Sequence, residues 1–402
     1  MDELYLILAI PVITALVGWG TNWAAVKMIF YPVRFVGIGK LGWQGIIYKS
    51  APVLAAGVGD MMGNNLVTAK EMSERLDGEQ IADFVDQQLE AEGEPIVAAC
   101  AETVAPGSWQ NMAPAARQTL MAQFRRELRA AVKDTADRVN QTVEQVLDVK
   151  ELVVHALSGE NAGVLANLMK TMAAQELKFI EYYGGIFGLV IGIIEMVAWK
   201  VVGEWWVMPI VGVVVGLVTN YLAILMIFRP VEPTRYLGII TYQGLFPKRQ
   251  VDIARDYGRS TADVVLTPQN LINKLSQGEA GAKLQGVVTK TASQRFDELR
   301  GRAEGMLPVE LDDAVVDRVK ATAWEKGRDL LPTMRGRFED FLKERLRIAE
   351  IVEEKLLGLS KKELEGLLRP LFKEDEWILI AVGGFLGGCV GVLQGAIVLA
   401  LG

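Results

Sequence analysis

The stretch PVITALVGWGTNWAAVKMIFYPV, residues 11–33, returns as PIVGVVVGLVTNYLAILMIFRPV at residues 209–231. Pro11, Val17, Gly18, Thr21, Asn22, Ala25, Met28, Ile29, Phe30, Pro32 and Val33 all recur, where ordinary residue frequencies give about one or two identities by chance. After a one-residue shift the correspondence continues: Gln44-Gly45 with Gln243-Gly244, Lys49 with Lys248, Gly59 with Gly258, Glu151 with Glu350, Leu165 with Leu364, and Gly184-Gly185 with Gly383-Gly384. The chain is a tandem duplication with its boundary near residue 200.

Hydrophobic residues make up 51% of the chain and charged residues 23%, which together imply apolar blocks set between strongly charged ones. Residues 4–30, 182–199, 206–228 and 377–401 are apolar runs of roughly the 17 to 25 residues that cross a bilayer. Asp2 and Glu3 stand where a signal peptide carries basic residues, so the first run is expected to be a retained anchor. Tyr31, Trp43, Tyr182, Trp199, Trp206 and Trp377 cluster at the run boundaries, as an interfacial aromatic belt would.

The expected fold is an all-α integral membrane protein with four transmembrane helices and two long helical domains. In chain order this gives span one at 1–33, a helical domain at 34–181, a transmembrane hairpin at 182–230, a second helical domain at 231–376 and span four at 377–402. Four crossings put both polar stretches on one face. That face carries many cations near the span ends, Arg34, Lys49, Lys178, Lys248 and Lys361 among them, against Lys200 on the other. The positive-inside rule then predicts that the helical domains are cytoplasmic.

Between the spans the apolar spacing is helical, and almost no β-sheet is expected. In residues 115–147, Leu120, Phe124, Leu128, Val132, Ala136, Val139, Val143 and Val146 form a single stripe, so a rod on the order of 50 Å long at about 1.5 Å per residue should seek a partner helix in coiled-coil fashion. Its counterpart at 314–346 contains Pro332 and is expected to kink or break there.

Thr21-Asn22 and Thr219-Asn220 lie at matching positions inside apolar spans and must hydrogen-bond, as glue between helices or along a polar path. Glu195 and Gln394 are also equivalent; a carboxylate there suits a proton-coupled site, but Glu195 is close to Trp199 and Lys200 and is expected to snorkel towards the interface. Gly184, Gly188 and Gly192 in one span, and Gly383, Gly387, Gly391 and Gly395 in another, predict close helix packing. After spans one and three comes a repeated Phe-x-Pro-Val, a glycine-bearing turn and Gln-Gly. There Arg34, Lys40, Gln44 and Lys49, with Arg229, Arg235, Gln243, Lys248 and Arg249, either hold an anionic phospholipid headgroup or form a re-entrant turn that only orients the helices.

Motifs for nucleotide, metallohydrolase or serine-hydrolase chemistry are missing from the sequence. The lone His155 and the separated Cys100 and Cys389 offer no metal site or disulfide framework. No cofactor and no enzyme activity are expected, and a net charge of -7 argues against nucleic acid as a partner.

The pattern GxxTNxxAxxMIFxP, then QGxxxK, a helical middle, and Glu176 or Asp375 before a glycine-rich span resembles the bacterial YheB-like membrane proteins, a family of unknown function (family 445). Both repeats carry it. The resemblance implies a cytoplasmic-membrane location and no established activity. Three functions follow as expectations: a non-catalytic scaffold that self-associates into homo-oligomers to organise or tether membrane, a protein that binds or transfers membrane phospholipid, or an oligomeric channel or transporter with parallel repeats.

Overall fold

A computed structural model describes residues 2–39, 41–236, 238–306, 312–369 and 376–401. The chain is an all-α membrane protein. Helices Asp2–Phe30, Ala174–Val202, Val207–Phe228 and Glu376–Leu401 contain the four segments long and apolar enough to span a bilayer. A helix satisfies every interior backbone group within itself, which hydrocarbon demands. The β-structure described is two antiparallel hairpins, Val36–Ile38 with Leu41–Trp43 and Thr234–Tyr236 with Ile240–Tyr242, one after each of spans one and three.

Contacts group the chain into two compact units, and each unit draws on both repeats. The span-bearing unit comprises Met1–Leu66, Val153–Val265 and Ala349–Gly402; the helix unit comprises Val67–Leu152 and Leu266–Ile348. The chain-order segments 34–181 and 231–376 are thus each shared between units. The reason is physical: a half-buried helix joins whichever partner covers its apolar stripe, wherever that partner lies along the chain.

Within the span-bearing unit each repeat closes on itself. Span one packs along span two, and span three along span four, with further contact between spans two and three. Tyr257, from the helix Gln250–Ser260, is buried there with its hydroxyl near the sulfur of Met61.

In the helix unit the repeats cross. The long helix Pro114–Val146 lays its stripe on Gly78–Glu92 from its own repeat and on Gly278–Met306 from the other. All eight stripe residues are buried or half-buried. The second long helix, Asp313–Leu346, packs against Glu94–Val104 and Pro268–Ser276. Phe84 stacks on Phe341 at 4.8 Å between ring centres and lies 5.6 Å from Phe338. Ion pairs flank the seam: Arg125 binds Asp86 at 2.7 Å, Arg129 binds Asp83 at 2.6 Å and also pairs with Glu79, and Arg337 reaches Glu92 at 3.1 Å. The rods therefore find partners inside the chain.

Pro332 does not break its helix, which runs from Asp313 to Leu346. Proline removes one backbone hydrogen bond and frees the carbonyl four residues earlier. Here that residue is the exposed Arg328, whose carbonyl water can serve.

Candidate functional site

Spans one and two meet backbone to backbone. A Cβ on Gly18 would strike the carbonyl of Gly184, and one on Gly188 would lie 2.6 Å from the carbonyl oxygen of Thr14. Spans three and four repeat the arrangement, with Gly216 against Gly383 and Gly212 against Gly387. Gly192 faces Pro11, Gly391 faces Met208 and Pro209, and Gly395 faces Trp205. All seven predicted packing glycines meet a span of their own chain. Gly384 and Gly388 do so too, against Leu217 and Val213.

The glycines also make room for the asparagines. Asn22 Nδ2 donates to the carbonyl of Ile180 at 2.7 Å, and Asn220 Nδ2 to that of Leu379 at 2.6 Å. A Cβ on Gly184 or Gly383 would collide with these amides. Thr21 and Thr219 bond back to the carbonyls of Gly18 and Gly216 in their own helices. The buried amides thus join helices, as an amide in hydrocarbon must.

Glu195 does not snorkel. It is 1% exposed, and Thr14 Oγ1 donates to its Oε2 at 2.7 Å. Span one covers it and offers one hydroxyl, which also lies 2.9 Å from the Ile10 carbonyl oxygen, while Oε1 of Glu195 is buried without a partner. The duplicated positions are Gly212 and Gln394, so this hydroxyl–carboxylate pair belongs to one repeat. Gln394 is buried as well.

After spans one and three the chain folds back on the span end. Trp43 Nε1 donates to the carbonyl of Met28 at 3.2 Å, and Tyr242 Oη to that of Met226 at 2.6 Å. These carbonyls lie in the last turn of a helix, where backbone acceptors lack partners. Burial pushes the Tyr242 phenol above its usual range, so it stays a donor at physiological pH. Gln44 Nε2 donates to Val33 at 3.0 Å and Gln243 Nε2 to Val231 at 2.8 Å; Gly45 and Gly244 donate through their backbone to Pro32 and Pro230. Gly45 passes so close that a Cβ would lie 2.7 Å from the carbonyl carbon of Phe30. The repeated motif is therefore a staple across the span end, and its glutamines are committed to it.

The basic residues divide. Arg229 pairs with Glu365 at 3.2 Å, and Arg249 with the buried Glu176 at 2.5 Å. Arg34, Lys49, Arg235 and Lys248 are exposed, while Lys40 lies outside the described residues. The hairpins add exposed apolar side chains, with Ile38 at 90% and Ile239 at 87%. Sequence reasoning marked Glu176 only as part of a pattern and missed its partner. Arg249 and Glu176 are 73 residues apart, and the duplication puts Ser50 in the arginine's place.

Residues 12–136 and 210–333 both match one family model, described as a protein of unknown function (DUF445). The chain belongs to this family. That the DUF445 model matches twice follows the register of the duplication. Among its relatives, a UPF0754 membrane protein of Bacillus cereus strain AH187 is 20% identical over 397 residues, 96% of each chain. Other matches are local: 29% identity over 129 residues with a UPF0754 membrane protein of Exiguobacterium sibiricum, and 40% over 70 residues with one of Geobacillus kaustophilus. These alignments span 29% of this chain and 34% of the first protein, and 17% of this chain and 19% of the second. No solved structure matches the chain.

Proposed function

We propose that this DUF445 member is a non-catalytic membrane scaffold, anchored by its four spans and self-associating through the helix unit. The observation that carries the reading is an unpartnered apolar face on a braced helix. Trp324 and Leu331 of helix Asp313–Leu346 are 70% and 61% exposed, and seven residues apart they share one face. Towards its two ends the same helix is held by Val316, Leu342 and Leu346, which are buried. A tryptophan held in water by a stiff helix loses little conformational freedom on docking, which favours association with a second copy.

In this reading the membrane is the bacterial inner membrane and the helix unit is cytoplasmic, because the cations near the span ends accumulate on the side of the polar stretches. The test is the mass of the full-length protein in mild detergent across a concentration series. Dimers or larger species are expected, and the double variant Trp324→Ser, Leu331→Ser should weaken association at least tenfold. A wild type that stays monomeric throughout would overturn the proposal.

A second reading has its own observation. The hairpin tips carry exposed isoleucines beside exposed cations such as Arg34 and Arg235, directly after a span. Apolar and cationic side chains combined at that point suit contact with anionic phospholipid, each cation contributing about 1 kcal/mol near the surface. Loss of vesicle binding should not accompany Trp324→Ser if this contact is separate from self-association.

A further inference from the structure

Where spans one and three end, the span-bearing unit encloses a cavity of ≈ 90 Å³. Its wall is mostly hydrocarbon from both repeats, including Phe30 and Phe228, with Ile46 and Phe246 supplied by the short helices after the Gln-Gly turns. Two carboxylates line it too, Glu176 and Glu376.

Glu176 is 2% exposed. Its Oε1 accepts a hydrogen bond from Arg249, but its Oε2 is buried without a partner. Oε1 of Glu376 is likewise buried and unpartnered. A carboxylate oxygen stripped of water and given no donor is costly, and each such atom marks the place of a donor still to come. Arg249 serves Glu176, so the carboxylate of Glu376 supplies negative charge that no bonded cation among the described residues offsets.

The wall restricts what that donor is. A calcium or magnesium ion takes about six or more oxygen ligands, and apart from the two carboxylates this lining is hydrocarbon. A donor carried on a small apolar body suits the cavity better. At about 10–15 Å³ of space for the centre of each water, the cavity has room for about six to nine waters, enough for a short amine and its stem.

We propose that this cavity binds a primary ammonium group on a two- or three-carbon stem, with the free oxygens of Glu176 and Glu376 accepting its N–H donors and the apolar wall enclosing the stem. Two sources share that chemistry: the ethanolamine headgroup of a phospholipid, close at hand where spans end, and a free short alkylamine. The site and the Trp324 face use different residues, so either proposal can fail alone.

Native mass spectrometry of the full-length protein tests it, with phosphatidylethanolamine, phosphatidylcholine and ethylamine as probes. Phosphatidylcholine is the control because its quaternary nitrogen carries no N–H. The wild type is expected to retain phosphatidylethanolamine at least tenfold more tightly than phosphatidylcholine, and E376Q to erase the preference. E376Q should keep or raise the wild-type thermal midpoint, since the Oε1 of Glu376 has no bond to lose and an uncompensated buried charge is removed. Ethylamine binding that depends on Glu376, without lipid preference, would support the proposal and assign the free amine as the source. Equal retention of the two lipids together with ethylamine binding indifferent to E376Q would overturn it. A Glu376-dependent response to sodium or pH alone, with no amine effect, would also overturn it and give the site to a small cation or a proton.

Discussion

The span-bearing unit and the helix unit are built from the same two repeats yet pair their helices by different rules. Spans pair within a repeat, glycine on glycine, with an asparagine amide reaching across to a backbone carbonyl. The long helices pair both within and across repeats: Arg125–Asp86 and Arg129–Asp83 join helices of one repeat, while Phe84 stacks on Phe341 and Arg337 reaches Glu92 across the two. The solvent explains the contrast. Lipid tails are as apolar as leucine, so association in the bilayer depends on close backbone approach and interhelical hydrogen bonds. In water, burying a phenylalanine is itself the driving force, and any helix that completes the stripe will serve.

The comparison breaks most visibly at Phe84. Phe84→Ala removes the ring between Phe338 and Phe341 and should destabilise the helix unit by about 3–5 kcal/mol. Hydrogen exchange should then register faster opening in Gly78–Glu92 and Asp313–Leu346, with the spans unaffected. Equal loosening of the spans would mean that the two units are not separate in stability.

Gly184→Ala tests the other rule. The new methyl meets the Asn22 amide and the Gly18 carbonyl, so about 1–3 kcal/mol of overpacking is expected in an unfolding titration of the micelle-embedded protein. Gly20→Ala is the control, because nothing lies within 4 Å of a Cβ there. Similar losses in both variants would show that helix propensity, and not backbone contact, sets the effect.

The smallest effect concerns charge in the water-exposed seam. The hydrogen bond from Arg125 holds the Asp86 carboxyl below its usual value. A depressed folded-state pKa means stability that is present above the unfolded value of about 3.9 and lost as pH falls through the folded one. For a pair this accessible the contribution is below about 1 kcal/mol. The thermal midpoint of the wild type should therefore exceed that of Asp86→Asn at pH 6 and converge with it in acid, once the folded carboxyl is protonated. A gap that persists in acid would assign the effect to packing instead.

Much of this was legible in the chain. Periodicity exposed the apolar stripe of the first long helix, and repetition exposed the motif after each odd span. What repetition could not tell was the job of Gln44 and Gln243, which close a turn where a headgroup contact was equally compatible with the residues. Glu195 was misjudged because its nearness to Lys200 along the chain is visible, whereas Thr14, lying 181 residues away, is not.

The sequence by itself determined the duplication, the four spans and the glycine stripes, because each is a pattern of residue chemistry along one helix, where neighbours are fixed by covalent distance. Only the tertiary structure decided which repeat fills which seam, that Glu176 meets Arg249, and that two carboxylate oxygens are left facing an apolar cavity. These depend on which groups converge from distant points of the chain, and a duplicated sequence offers two nearly equivalent partners for every surface. Packing and charge complementarity in three dimensions choose between them.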